Sequence, residues 1–143
     1  RYTDVYRLKQ DRPHLTIEIN GGIKTVDEIV GHWQHTDGVM IGREAYQNPY
    51  LLVEARRLWG ETALPSRADI LEAYLPFVER ELAAGCPLNQ ITRHILGLFQ
   101  GVPGGRRYRQ VLSMRAHKPG AGIQVLLDAA TQLHAVLQVQ GGW

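Results

Sequence analysis

Two short apolar runs, LTIEINGG at residues 15–22 and DGVMIG at residues 37–42, each end in glycine. Apolar runs of this length that stop at a glycine turn are typical of buried β-strands. Between them, Thr25 and Glu28 have the spacing of a helix-capping box, and apolar side chains recur at helical intervals after them. The sequence therefore predicts three elements: a strand over 15–19, a helix over about 25–34 and a strand over 37–41.

Further helical patterns flank this core on both sides. A short helical stretch covers residues 4–10, and Asn48-Pro49 has the form of an N-cap with proline at the first helical position, opening a helix that ends near Gly60. Two buried strands joined by one helix indicate a parallel pair, which cannot be a finished sheet by itself. A complete (β/α)₈ barrel takes roughly 250 residues, and the chain has 143. We therefore expect residues 1–64 to be part of a larger parallel structure.

The second half of the chain, residues 65–143, has no convincing strand pattern. Its apolar residues recur at helical spacing in four segments separated by short Gly/Pro connections. The predicted helices are Ser66 to Ala84, Leu88 to Gln100, Gly104 to His117 and Ile123 to Gln138. The expected fold class is thus an α/β segment followed by a small all-α bundle.

The net charge of +2 conceals an uneven distribution of charge along the chain. Residues 1–64 carry 8 basic and 9 acidic side chains, whereas residues 65–143 carry 8 basic and 5 acidic ones. Between Leu82 and Leu127 there is no Asp or Glu at all, although six Arg and Lys side chains fall there. A cationic surface is expected on the second half, and polyanions are its natural partners.

Several classes of protein are disfavoured by the composition. A single cysteine cannot form an internal disulfide, and no Cys/His cluster has zinc-ligand spacing, so we expect no metal and a cytoplasmic protein. We also expect the protein to be monomeric. No apolar run approaches the roughly 18 residues of a membrane helix. Cys86, between Gly85 and Pro87, shows no base or cationic partner in the sequence, which favours a structural role over a catalytic one.

The two strand-ending glycine sites are the main chemical signal. Asn20, Gly21 and Gly22 follow the first strand, and Gly42 and Arg43 follow the second. Glycine lets backbone N–H groups approach a phosphate closely, and the helix that follows directs its positive end to the same place. In parallel barrels, the loops after the last two strands are where cofactor phosphates usually bind. These five residues are candidate phosphate ligands, with Arg43 adding a charge.

A second signal is the arginine-rich segment of the helical half. Arg106 and Arg109 are three residues apart on one predicted helix and share a face, while Arg93 and His94 lie off the apolar stripe of the preceding helix. Arginines without acidic neighbours suit contacts with a phosphate backbone, and Tyr108 could stack on a base if its ring is exposed. The pattern favours an anion-binding face.

Three longer stretches resemble the flavin-dependent tRNA-dihydrouridine synthases, specifically the A-type subfamily: EINGGI at 18–23, DGVMIGREAYQNP at 37–49 and TRHILGLFQGVPGGRRYRQ at 92–110. The resemblance extends over nearly the whole chain but corresponds to the carboxyl-terminal part of that family. It implies that residues 1–64 are the last segments of an FMN-binding TIM barrel and that residues 65–143 are a helical tRNA-binding domain.

The resemblance also implies an activity. Members of the family reduce a D-loop uridine of tRNA (20/20a type) to 5,6-dihydrouridine: NADPH reduces FMN, the flavin delivers hydride to the uracil, and a cysteine protonates the ring. FMN phosphate binding is thereby implied for Asn20, Gly21, Gly22, Gly42 and Arg43. Placement in the tRNA-facing domain is implied for Arg93, His94, Arg106 and Arg109.

The catalytic cysteine of the family, and the lysine and histidine that hold its flavin and substrate, belong to earlier barrel segments that this sequence does not contain. Cys86 lies in the wrong domain to replace that cysteine. We therefore expect the 143-residue chain to be a fragment of the enzyme and inactive alone. Two alternatives are a stand-alone RNA-binding helical module and a fragment of another FMN barrel oxidoreductase, one that acts on free pyrimidines.

Overall fold

The computed structural model describes the backbone of residues 1–140 and the side chains of residues 1–133. Residues 141–143, the end of the expected helical domain, lie outside the described residues. The elements are α1 (Tyr2–Asp11), β1 (Glu18–Asn20), α2 (Val26–Trp33), β2 (Gly38–Met40), α3 (Arg43–Gln47), α4 (Tyr50–Ala55), a 3₁₀ helix (Arg56–Trp59), α5 (Arg67–Ala83), α6 (Leu88–Thr92), α7 (Gly105–Arg115) and α8 (Ile123–Gln140).

The two strands are parallel and pair in register, with Ile19 opposite Val39. Both strands are shorter than expected, because regular pairing covers only three residues on each side. The crossover helix α2 begins with the predicted capping box, in which the Thr25 side chain accepts from the Glu28 N–H at 3.1 Å and the Glu28 carboxylate accepts from the Thr25 N–H. The parallel pair and its connecting helix are thus confirmed.

Two separate apolar cores form among the described residues. The first lies between the sheet, α2 and α4, and its buried members are Ile19, Ile23, Ile29, Leu51 and Ala55. The second is built by α5 to α8 and the turns before α7, and its most buried members are Val78, Leu88, Leu98, Tyr108, Leu112, Leu126 and Ala129. Each half of the chain therefore buries its own apolar side chains.

The helix expected over residues 88–100 is wrong in its second half. Helix α6 ends at Thr92, and the backbone continues as successive turns, in which Ile95 N–H donates to Thr92 and Leu98 N–H donates to Ile95. The reason is a close contact at Gly97, where a Cβ atom would lie only 2.0 Å from the Gln47 carbonyl oxygen. The tight i to i−3 turns bring the backbone of Gly97 directly against the end of α3.

The expected N-cap at Asn48 is also wrong. Residues 43–47 form α3, which the sequence pattern did not predict, and Asn48 ends this helix by donating its N–H to the Glu44 carbonyl at 2.7 Å. The side chain of Asn48 caps neither helix, and its buried Oδ1 has no hydrogen-bond partner among the described residues. Helix α4 begins two residues later, at Tyr50.

Contacts near the Pro65 junction join the two cores. The Tyr50 hydroxyl donates to the Pro65 carbonyl at 3.0 Å, and the Arg67 guanidinium lies 4.0 Å from the centre of the Tyr50 ring. The same guanidinium donates to the Leu98 carbonyl. Together with the Gly97 contact, these bonds attach the turns of residues 93–100 to α3 and α4.

Candidate functional site

The five residues predicted to bind phosphate line one cleft of about 380 Å³. Asn20, Gly21 and Gly22 enter it from the end of β1, and Gly42 and Arg43 enter it from the end of β2. They meet because parallel strands place their carboxyl ends at the same edge of the sheet. The structure therefore brings the two glycine sites together.

The glycine turn after β1 needs its glycines. Gly21 and Gly22 have φ angles of 140° and 71°, which side-chain-bearing residues rarely adopt. The Tyr2 hydroxyl donates to the Gly21 carbonyl, and the Tyr2 ring lies 3.5 Å from where a Cβ of Gly21 would sit. Helix α1 thus supports the turn from one side and fixes the direction of a peptide carbonyl.

Three residues that line the cleft have backbone N–H groups with no acceptor in the described part of the chain. Among the described residues, the N–H groups of Gly22, Ile23 and Gly42 donate to no acceptor. An N–H group that has no protein acceptor and lies beside a cation is the kind of donor that a phosphate oxygen accepts from. The residues present therefore fit a phosphate group.

The amino terminus of α2, in contrast, is already capped by its own side chains. The Glu28 carboxylate accepts from the N–H groups of Lys24 and Thr25, at 2.7 and 3.1 Å. These hydrogen bonds, first the one from Lys24, hold the pKa of Glu28 below its usual value. No residue of α2 lines the cleft, so the glycine turns supply its backbone donors, and the direction of the positive end of α2 toward the phosphate stays a prediction.

Four lining residues were not found by the sequence reasoning, one of them the apolar Ile23. Lys24, Glu44 and Gln47 share the cleft with Arg43. Lys24 could have been found, since it lies two residues after the glycine pair. Two cations and one carboxylate leave the cleft with a positive balance, as an anionic ligand requires.

The four residues predicted to face RNA are all exposed. Arg93 donates its Nε–H to Nε2 of His94 at 3.2 Å. Arg106 and Arg109 line a second cleft, of about 210 Å³, beside Gln100. The four residues thus lie in two groups: Arg93 is hydrogen-bonded to His94, and Arg106 and Arg109 line the same cleft.

The charge distribution of this half is only partly as expected. Arg115 is paired with Asp128 at 2.9 Å. Hydrogen bonds from Gln124 and then Arg115 lower the pKa of Asp128. Within the described part of the chain, Arg93, Arg106 and Arg109 have no carboxylate within 4.0 Å. The three arginines of the predicted RNA face are therefore among the cations without an ion pair in that part of the chain.

The idea that Tyr108 stacks on a base is wrong. Its side chain is completely buried, its ring meets the Phe99 ring edge-on at 4.8 Å, and its hydroxyl donates to the Ile95 carbonyl at 3.3 Å. Burial raises the pKa of its phenol well above the usual value. The exposed aromatic side chain near the cationic turns is instead Tyr46 of α3, whose ring lies 5.4 Å from that of His94.

Cys86 sits in a structural environment. Its half-buried thiol packs against the second core, with Sγ 3.8 Å from the Gln90 amide oxygen. Over the described residues, no group of His, Cys, Asp and Glu side chains could hold a metal ion. None of the helices in that part of the chain is long and apolar enough to span a membrane.

Comparison with known proteins identifies one family. A family model for dihydrouridine synthase (Dus) matches residues 1–135. The chain is 50% identical to a tRNA-dihydrouridine(20/20a) synthase of Vibrio cholerae, over 92% of this chain and 41% of the relative. The identity to an enzyme of the same name from Shewanella oneidensis is 54%, over 97% of this chain and 42% of the relative. The identity to the Escherichia coli K12 enzyme is also 54%, over 90% of this chain and 38% of the relative. The chain spans about two fifths of the length of these curated relatives.

Proposed function

The chain belongs to the dihydrouridine synthase family, and we propose that it supplies the cofactor-phosphate cleft and the RNA-facing helices of a flavin-dependent tRNA-dihydrouridine synthase. The parent enzyme would form dihydrouridine at position 20 or 20a of tRNA, the positions that the names of the relatives print. The observation that carries the proposal is the single cleft formed by Asn20, Gly21, Gly22, Gly42 and Arg43.

The family implies a TIM barrel, and residues 1–64 fit its last segments. A parallel strand pair with glycine turns at the carboxyl ends is the arrangement that such barrels use for phosphate. Residues 65–143 are proposed as the helical tRNA-binding domain, because their described part has its own core and carries the exposed side chains of Arg93, Arg106 and Arg109. The enzyme would act as a cytoplasmic monomer.

The chain's own residues would bind and orient the cofactor. The N–H groups of Gly22, Ile23 and Gly42 are placed to donate to the phosphate of FMN, and Arg43 and Lys24 to neutralise its charge. FMN, when bound, supplies hydride chemistry with NADPH as reductant. Holding the phosphate at the sheet edge fixes the position of the cofactor relative to the helical half.

The groups that act on the uracil are proposed to lie outside these 143 residues. Cys86 packs against the second core and does not line the phosphate cleft, and a proton donor must reach the reacting ring. We therefore expect the purified 143-residue chain to form no dihydrouridine. Product formation by this chain alone would contradict the proposal.

A charge placed at Gly42 tests the phosphate site in the full-length protein. Nothing lies within 4 Å of a Cβ at this position, so a short side chain has room there. Gly42→Asp places a carboxylate beside the phosphate, and we expect the flavin content of the purified protein to fall by at least tenfold. Gly42→Asn has the same shape without the charge, shares any backbone strain, and should retain most of the flavin. Equal flavin content in the Asp variant and the wild type would refute the site.

A further inference from the structure

Tyr46 is an exposed aromatic side chain with no core to fill. Its exposure is 58%, and it lies on α3 three residues after Arg43, so that both side chains share one face of the helix. Its ring contacts the ring of His94 at 5.4 Å between centres and a tilt of 46°. Two exposed rings from different halves of the chain therefore meet beside the phosphate cleft.

The position of this ring pair is fixed by the backbone beneath it. At Gly97 a Cβ would lie 2.0 Å from the Gln47 carbonyl oxygen and 3.1 Å from the Tyr46 carbonyl oxygen. The turns that carry His94 therefore lie directly on the end of α3. A platform held by a main-chain crossing loses little conformational entropy when a ligand binds.

The charge around the pair is positive. Arg93 donates to His94 at 3.2 Å, and Arg43 lies on the same helix face as Tyr46. The nearest acidic residue in sequence, Glu44, lines the phosphate cleft. Aromatic rings beside cations are the arrangement that binds unpaired bases together with their phosphates.

We propose that Tyr46 and His94 form a stacking platform for an unpaired base of the RNA substrate, and that Arg93 contacts a neighbouring phosphate. This inference rests on the proposed function, because it assumes that RNA is the substrate. It places an RNA contact on the barrel side of the molecule, close to the cofactor. The base that stacks here would be one freed from pairing in a loop, since a paired base does not expose its face.

The test compares tRNA affinity of full-length variants, with an unmodified tRNA transcript as the probe. Tyr46→Ala should weaken binding by roughly 5- to 150-fold, the range expected for loss of one base–aromatic stack. Tyr46→Phe keeps the ring and should bind within about twofold of wild type. Trp33→Ala is the matched control, because Trp33 is an exposed aromatic side chain lining a shallow pocket with uncharged Val30 and Gln34.

Salt dependence separates stacking from charge. Tyr46→Ala should leave the slope of log affinity against log salt unchanged, whereas Arg93→Gln should reduce it by about 0.7 to 0.9. Bound flavin reports that each variant is folded. If Tyr46→Ala loses its flavin, His94→Ala provides the test, with a weakened affinity and an unchanged salt slope expected.

Four outcomes would overturn the inference. The first is unchanged affinity in Tyr46→Ala, or in His94→Ala where that variant provides the test. The second and third are a loss of affinity in Tyr46→Phe, or in Trp33→Ala, equal to the loss in the deciding alanine variant. The fourth is a reduced salt slope in that alanine variant. A wild-type protein that binds flavin but not tRNA would instead refute the RNA part of the proposed function, and the platform with it. Failure of the platform alone leaves wild-type tRNA binding intact.

Discussion

Asp37 shows how one exposed carboxylate can organise several segments. It accepts from the Lys9 ammonium and from the Ile17 N–H, both at 2.8 Å, while Lys9 also donates to the Pro13 and Leu15 carbonyls. The hydrogen bond from Lys9, followed by that from Ile17, lowers the pKa of Asp37. This residue ties α1 and the segment before β1 to the start of β2.

Asp37→Asn should reduce the acid sensitivity of the fold. A carboxyl group with a lowered folded-state pKa stabilises the protein above its ordinary value of 3.8, and that stability disappears as pH falls through the folded-state value. We expect the variant to be less stable than wild type at neutral pH and to lose less stability between about pH 5 and 3. Urea unfolding at several pH values measures both effects.

The matched control for this experiment is Asp11→Asn. Asp11 belongs to an exposed ion pair with Arg7 at 3.9 Å, and such pairs contribute little to stability. The two variants remove the same charge. A loss in Asp11→Asn equal to that in Asp37→Asn would contradict the role given to the Lys9 and Ile17 contacts.

At the scale of single residues, the sequence predicts the role of a residue where that role depends on the local conformation of a turn. The glycine turns could be predicted because few other residues adopt their backbone angles and because they follow apolar runs. The surroundings of Tyr108 and Tyr46 could not. Both are tyrosines near arginines in sequence, and only the packing of α7 on α8 and Phe99 buries one and leaves the other exposed.

Among the elements, the turns of residues 93–104 matter most because they connect both cores. Their backbone touches α3 at Gly97, and the carbonyl of Phe99 would lie only 1.9 Å from a Cβ at Gly105. Glycine is needed at both positions for close approach. Side chains there would push the turns away from α3 and α7.

Gly97→Ala should therefore destabilise the chain. A methyl group cannot fit 2.0 Å from the Gln47 carbonyl oxygen, and overpacking of this kind costs about 1–3 kcal/mol or more. Gly31→Ala is the control, since Gly31 lies in α2 with nothing within 4 Å and should gain about 0.5–1 kcal/mol from alanine. Thermal unfolding of the two variants measures the difference, and equal stability would argue against the crossing.

Elements with local signals were predictable, and elements set by distant contacts were not. The helix α2 has its capping box and α5 has the Ser66–Asp69 pair, so both could be predicted to within one or two residues. The apolar spacing after Leu88 continues past Thr92, yet the helix stops because α3 lies against Gly97. A five-residue helix such as α3 has too few residues for a periodic pattern.

At the scale of the whole molecule, the excess of positive over negative side chains lies in the second half. Arg106 and Arg109 line a cleft, and Arg107 of the same helix is exposed but does not line it. The cleft arginines share one face of α7, and Arg107 lies about 100° away around the helix. Three neighbouring arginines thus differ in position and not in charge.

Arg106→Gln and Arg109→Gln, each made in the full-length protein, should weaken tRNA binding by roughly fivefold. The salt slope should decrease by about 0.7 to 0.9 for each lost phosphate contact. Arg107→Gln removes an equal charge and should have a smaller effect, while flavin content stays unchanged in all three. Equal effects from the three substitutions would indicate a diffuse charge effect without a defined face.

The large-scale plan of the molecule was readable from composition and pattern. Acidic residues are absent between Leu82 and Leu127, and strand patterns occur only in the first half, which together distinguish the two halves. How the halves join could not be read. The Arg67 guanidinium packs on the Tyr50 ring and donates to the Leu98 carbonyl. These contacts join residues that are distant in sequence, and no periodic sequence pattern indicates them.

The joint between the halves also has a consequence for how the sequence can change during evolution. The exposed connector around Thr62 and Ala63 does not determine how the halves are oriented, because Arg67, Tyr50 and Gly97 do so. Lengthening a surface loop costs little free energy. Homologues can therefore gain or lose residues in this connector without changing the distance between the proposed phosphate cleft and the proposed RNA face, whereas an insertion between Arg93 and Gly97 would shift one against the other.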